Sequence, residues 1–153
     1  GATTMSILKN RTNADIVPLA LRGVSAATTT GNMSTDHFRV GTTRTWAPYI
    51  GILPLRLVDI LHQRFHAKAI RQVIYSYCTP IAWLDGETWV VPDVSYSATT
   101  SSKHQSQLWR LRDSVSIPWD CGIEEYQRVL EGHMVYSRGY GNKLGTYAPG
   151  KVA

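Results

Sequence analysis

Ile81-Ala82-Trp83-Leu84-Asp85-Gly86-Glu87-Thr88-Trp89-Val90-Val91 is the stretch that decides the fold. Two runs of aromatic and branched residues flank an Asp-Gly step. Glycine reaches positive φ without steric cost, so the step predicts a tight antiparallel hairpin. Pro80 and Pro92 bracket it and, lacking an N–H for a ladder, belong at strand ends or edges. Upstream, from Ile70, Val73, Tyr75 and Tyr77 alternate with Ile74, Ser76 and Cys78, which predicts another strand. Downstream, Asp93-Val94-Ser95-Tyr96-Ser97 continues the extended pattern.

Further out the period lengthens. Pro54 stands where a proline costs a helix little, and Leu57, Val58, Leu61 and Phe65 follow on one face. Arg56, Asp59, Gln63 and Arg64 lie mostly away from it. Ser102 with Gln105 has the form of a capping box and predicts a helix over roughly 103–112. Leu108-Trp109-Arg110-Leu111-Arg112 also reads as a short strand, so that segment stays open. Pro118 breaks the chain. Ile123 to Gly132 predicts a second helix, with Glu124 and Glu125 in its first turn and Gly132 at its end. The sum is an α+β domain: a small antiparallel sheet of three to four strands around the central hairpin, with one or two packed helices and flexible termini. Trp83, Trp89, Leu57, Leu61, Phe65 and Val73 are its expected core.

With 153 residues, 43% of them hydrophobic, the chain suits one folded domain. Residues 1–40 hold one apolar patch, Ile16 to Leu21, and then a small polar run from Ser25 to Asn32. They read as a flexible N-terminal segment, because little apolar area offsets the entropy of ordering them. The domain is placed at residues 41–135, and residues 136–153 as a flexible basic and aromatic tail. Cys78 and Cys121 have no short-range partner and read as two buried small hydrophobes, with one disulfide between them as the alternative. No run approaches the roughly 18 apolar residues of a membrane span, and no signal-peptide order opens the chain. The host cytoplasm is the expected compartment. The net charge is +5, with the basic surplus in residues 1–112. That permits an acidic partner without requiring one.

Tyr77-Cys78-Thr79-Pro80-Ile81-Ala82-Trp83, Trp89-Val90-Val91-Pro92-Asp93-Val94-Ser95-Tyr96-Ser97-Ala98-Thr99-Thr100 and Lys103-His104-Gln105 together resemble a family of small proteins from actinobacterial phages. The resemblance covers about residues 70–110. It implies a phage-encoded accessory protein acting in the host cytoplasm and carries no activity with it.

His62 and His66 stand four apart on one helix face, a spacing able to hold a metal, but no third ligand is gathered by sequence and Gln63 replaces the glutamate of a zinc protease. No metal and no cofactor is expected. Asp85 and Glu87 are paired carboxylates, which the hairpin turn already accounts for. The segment from Tyr96 to His104 concentrates hydroxyls, one ammonium and one imidazole. Tyr96, Ser97, Thr99, Thr100, Ser101, Lys103 and His104 are therefore the candidate binding residues, for an anionic group or a partner surface. A plain capped turn and a Ser-Lys or Ser-His nucleophile are the rival readings. Arg110, Arg112, Arg138, Tyr140 and Lys143 mix basic and stacking groups, the mixture single-stranded nucleic acids use.

The sequence therefore predicts a non-enzymatic phage accessory protein that binds a host or phage macromolecule, a protein first. A nucleic-acid binder on the basic surface is the alternative, and a small enzyme using the Ser/Thr/Lys/His segment comes third. No membrane partner is expected, and self-association is left open.

Overall fold

The computed structural model describes residues 7–39, 47–136 and 147–149. Seven strands form one sheet in sequence order: β1 (Leu8–Arg11), β2 (Ala26–Thr28), β3 (Met33–His37), β4 (Ile70–Ser76), β5 (Thr79–Asp85), β6 (Thr88–Asp93) and β7 (Val115–Pro118). The first and last neighbour pairs are parallel and the four between them antiparallel, so β1, β2, β4, β6 and β7 run one way and β3 and β5 the other. Helices α1 (Asn13–Leu21), α2 (Leu55–His66) and α3 (Ile123–Leu130) connect or follow the strands. A short π-helical turn, Thr100–His104, runs into a 3-10 helix, Gln105–Arg110. β8 (Met134–Tyr136) and β9 (Tyr147–Pro149) pair separately.

The expected sheet of three to four antiparallel strands with one or two helices is thus too small, and the sheet is mixed. The difference lies mainly in residues 8–37, expected as a flexible segment, which supply β1, α1, β2 and β3. Leu8 pairs with Ala26 and Met33 with Ser76, so this part of the chain extends the sheet from its β4 side. α1 carries Pro18 in its interior, which normally argues against a helix. Packing overrides that cost, because Ile16, Val17 and Ala20 are buried against the sheet.

Period-2 alternation sorts β4 between two cores. Val73 and Tyr75 face α2 and α3, joining Leu57, Leu61, Trp83, Val90, Ile117, Tyr126 and Val129. Ile74 faces α1 and the 3-10 helix, joining Met33, Ala82, Trp89, Leu108 and Leu111. Helical elements cover both faces, giving three layers. Trp83, Trp89, Leu57, Leu61 and Val73 are buried as expected, and Phe65 is half-buried.

In the hairpin, Asp85 pairs with Thr88, leaving Gly86 and Glu87 as the two-residue loop. Gly86 alone of the two takes a positive φ, +60°. Asp85 is therefore the last residue of β5 and is buried. Its carboxylate accepts two hydrogen bonds from Arg64, at 2.8 and 2.9 Å, and one from the Tyr126 hydroxyl at 2.7 Å. Trp83 Nε1 donates to the same Tyr126 oxygen at 3.0 Å. A carboxylate expected merely to shape a turn instead ties α2, α3 and β5 together. Among the described residues no group of three or more potential metal ligands occurs, and the rings of His62 and His66 lie 6.4 Å apart. Cys121 is buried as expected, but Cys78, in the turn between β4 and β5, is exposed, so the reading of two buried cysteines holds for only one of them. No described helix is long and apolar enough to cross a membrane.

Candidate functional site at the carboxyl end of the sheet

Strand directions bring the carboxyl ends of β4, β6 and β7 to one end of the sheet, where open α/β sheets commonly hold their ligands. The loop after β6 carries the residues singled out by sequence, and the turn after β4 lies beside it. Tyr77, at φ +55°, turns β4 into β5, and its N–H donates to Asn32 O at 2.6 Å.

The hydroxyls of the loop do converge, but inward. His104 and Ser76 are each 2% exposed, and Thr100 is 5% exposed. Ser97 Oγ donates to Thr100 Oγ1 at 3.2 Å, Thr100 and Ser76 hydroxyls meet at 2.9 Å, and Ser76 Oγ lies 2.6 Å from His104 Nδ1. A hydroxyl has one proton to give. With Thr100 accepting from Ser97, the arrangement that uses each proton in turn has Thr100 donate to Ser76 and Ser76 donate to a neutral His104 at Nδ1. The imidazole then carries its proton on Nε2. Burial lowers the His104 pKa, which keeps the ring neutral and able to accept. The Tyr77 ring packs edge-on to it, with centroids 5.6 Å apart.

Ser76 with His104 has the spacing of a nucleophile and its base. Both side chains are sealed from solvent, so the arrangement clamps the π turn to the end of β4. Three further bonds hold the turn from outside: Ser101 Oγ to Gln105 Oε1, Ser102 Oγ to Ala98 O, and Gln105 Nε2 to Val94 O. Ser102 thus bonds backward and does not cap a helix over 103–112; the π turn begins two residues before it and the 3-10 helix ends at Arg110.

Of the other expected binding residues, Ser97, Thr99, Ser101 and Lys103 are exposed. Tyr96 is half-buried, its hydroxyl without a hydrogen-bond partner among the described residues, and burial raises its pKa above the ordinary tyrosine range. Lys103 and His104, neighbours in sequence, point to opposite environments. For the nucleic-acid alternative, Arg110 donates to Gln107 and sits over the Trp109 ring, 4.6 Å from its centroid, while Arg112 is exposed. Arg138, Tyr140 and Lys143 lie outside the described residues.

The same end of the sheet carries a set of exposed apolar side chains that the sequence did not announce. Ile52 is 73% exposed and Leu55 80%, with Tyr49, Ile50, Tyr77 and Trp119 also exposed. Long-range bonds place them together. Ile52 N–H donates to Thr79 Oγ1 at 3.0 Å, next to the Tyr77 turn. Arg56 Nη1 donates to Asp120 O at 2.8 Å, which brings the start of α2 to Trp119. The Tyr49 and Tyr75 rings stack edge-on at 5.6 Å. Gly51 at φ +48° lets this segment lie on β5, with the Thr79 backbone only 2.7 Å from where a Cβ would stand.

A family model matches residues 19–116, well over half of the chain. The chain belongs to the family of unknown function DUF8033. The DUF8033 match takes in β2 to β6, the π turn, the 3-10 helix and the start of β7, hence the whole Ser97–Thr100–Ser76–His104 chain and the apolar segment at Tyr49–Leu55. No curated protein and no solved structure gave a significant match.

Proposed function

We propose that this DUF8033 protein is a non-enzymatic accessory protein of phage origin that binds a host or phage protein in the bacterial cytoplasm. Its docking surface is the apolar rim at the carboxyl end of the sheet. The observation that carries the reading is the gathering of Ile52, Leu55, Tyr77 and Trp119, all about half exposed or more, at that one end. Aromatic and aliphatic side chains left in water in such a group are the material of protein interfaces. Exposed Lys103 adds one positive charge on the loop beside Tyr77. The non-enzymatic part is supported by the burial of the Ser76–His104 pair, which leaves its hydroxyl no access to a substrate. The phage origin rests on the resemblance over residues 70–110.

The test is photo-crosslinking in cells, with a benzophenone amino acid placed at Ile52, Leu55 or, as control, Glu87 at the opposite end of β5. The expected outcome is one discrete protein adduct from positions 52 and 55, absent from 87 and abolished by Leu55→Asp in the position-52 protein. Equal labelling from all three positions, or adducts indifferent to Leu55→Asp, would overturn the reading. Adducts to nucleic acid from 52 and 55, with affinity falling by roughly 0.9 decade per phosphate contact for each decade of salt, would favour the alternative.

A further inference from the structure

β7 sends Val115 and Ile117 toward α2 and α3, so by alternation Ser116 faces the other side, and Ser114 precedes the strand on that side. There they meet the π turn and the 3-10 helix across an open groove of about 610 Å³. Its polar lining includes Ser95, Ser101, Ser106, Ser114 and Ser116, and Trp109 borders it. Val91 and Leu108 contribute apolar wall. None of the described residues lining it is charged.

Three features narrow the ligand. Trp109 is 70% exposed, a large flat apolar surface held out beside the groove. Arg110, which sits over this ring, is not among the lining residues, so its charge does not enter the groove wall. The hydroxyls of Ser101 and Ser106 are taken up by Gln105 Oε1 and Ser102 O, but none of the described hydrogen bonds uses those of Ser95, Ser114 and Ser116.

A wholly apolar ligand would strip water from those three hydroxyls and give nothing back. An ionic ligand would be buried against a lining with no opposite charge. A ligand that is neutral, has a flat C–H face and carries many hydroxyls satisfies both walls at once. We propose that this groove binds a neutral saccharide, its ring stacked on Trp109 and its hydroxyls bonded to Ser95, Ser114 and Ser116. The volume is in the range of small-ligand sites and leaves room for more than one sugar ring. The inference is independent of the protein-docking rim, which uses other residues.

The experiment is calorimetric titration of the whole protein with chitotetraose, maltotetraose and mannotetraose at millimolar concentration, with Trp109→Ala and the double variant Ser114→Ala/Ser116→Ala alongside. Because all three side chains lie at the surface or half-buried, both variants should melt near the parent temperature. At least one of the three sugars should bind, roughly tenfold or more weakly to Trp109→Ala, the loss expected when an aromatic stacking contact is removed, and several-fold more weakly to the double variant. No heat with any of the three, or equal affinity for parent and Trp109→Ala, would overturn the proposal. So would binding of a thymidine oligomer, in place of any sugar, that is lost with Trp109→Ala.

Discussion

Replacing Ser76 with Ala should destabilise the protein without touching any exposed surface. The hydroxyl lies at the middle of a buried chain, accepting from Thr100 at 2.9 Å and donating to His104 Nδ1 at 2.6 Å. Its removal leaves one ring nitrogen without a donor and one Thr100 proton without an acceptor, both sealed from water. Each orphaned group costs about 1–3 kcal/mol, so a loss of about 2–6 kcal/mol is expected. The same site sets a pH dependence. Burial holds the His104 pKa below its unfolded value of about 6.5. Below that value the unfolded chain binds a proton that the folded chain refuses. Stability therefore stands in full above about pH 6.5 and declines as the pH falls toward the folded value, by at most about 1.4 kcal/mol per pH unit. His104→Asn removes the titrating group, so the difference between parent and variant isolates its contribution. Urea unfolding followed by tryptophan fluorescence, from about pH 8 to about pH 5, reads both effects. Parallel curves for parent and His104→Asn, or a Ser76→Ala loss under about 0.5 kcal/mol, would refute the buried chain as drawn.

Two further substitutions probe the supports of the site. Asp85→Ala should cost about 2–3 kcal/mol, the lower end for breaking a buried ion pair because the Arg64 side chain is 26% exposed. At 153 residues each kcal/mol lowers the melting temperature by about 2–4 °C, and Arg64→Ala combined with Asp85→Ala should cost clearly less than the two single losses added. Gly51→Ala should cost about 1–3 kcal/mol, since alanine is strained at φ +48° and its Cβ would stand 2.7 Å from the Thr79 backbone. A melting temperature unchanged by Gly51→Ala would mean that the Tyr49–Leu55 segment does not lie against β5.

The parts of the fold that were legible are those specified locally. Asp85-Gly86 marked the hairpin, and the stripe of Leu57, Val58 and Leu61 marked α2, because turn chemistry and helical period sit within a few residues. β3 was not legible. Its sequence, Met33-Ser34-Thr35-Asp36-His37, looks polar, yet Thr35 is 1% exposed, its hydroxyl donating to Val73 O and accepting from Gln72. Those partners are 38 and 37 residues away, and no short window of sequence contains them. The candidate site failed in the same way. Lys103 and His104 read as one polar pair, and only the distant Ser76 determines that the imidazole turns in while the ammonium stays out. The gathering of Ile52, Leu55 and Trp119 likewise depends on long-range bonds, from Ile52 N–H to Thr79 and from Arg56 to Asp120, which pattern alone does not carry.

One consequence joins the two surfaces. The π turn from Thr100 to His104 has poor intrinsic geometry for a five-residue element and would be mobile if left to its own hydrogen bonds. The inward chain of Ser97, Thr100, Ser76 and His104 fixes it to the end of β4, and Gln105 fixes it again to the Val94 carbonyl. With the turn fixed, Lys103 is held out in solvent while His104 packs on the Tyr77 ring, and Trp109, six residues after Lys103, is held beside the groove. Loosening the clamp by Ser76→Ala should therefore weaken both the crosslink at Leu55 and the sugar affinity at Trp109, although neither residue touches Ser76. A variant that lost stability yet kept both at parent level would show that the two surfaces are held independently of the buried histidine.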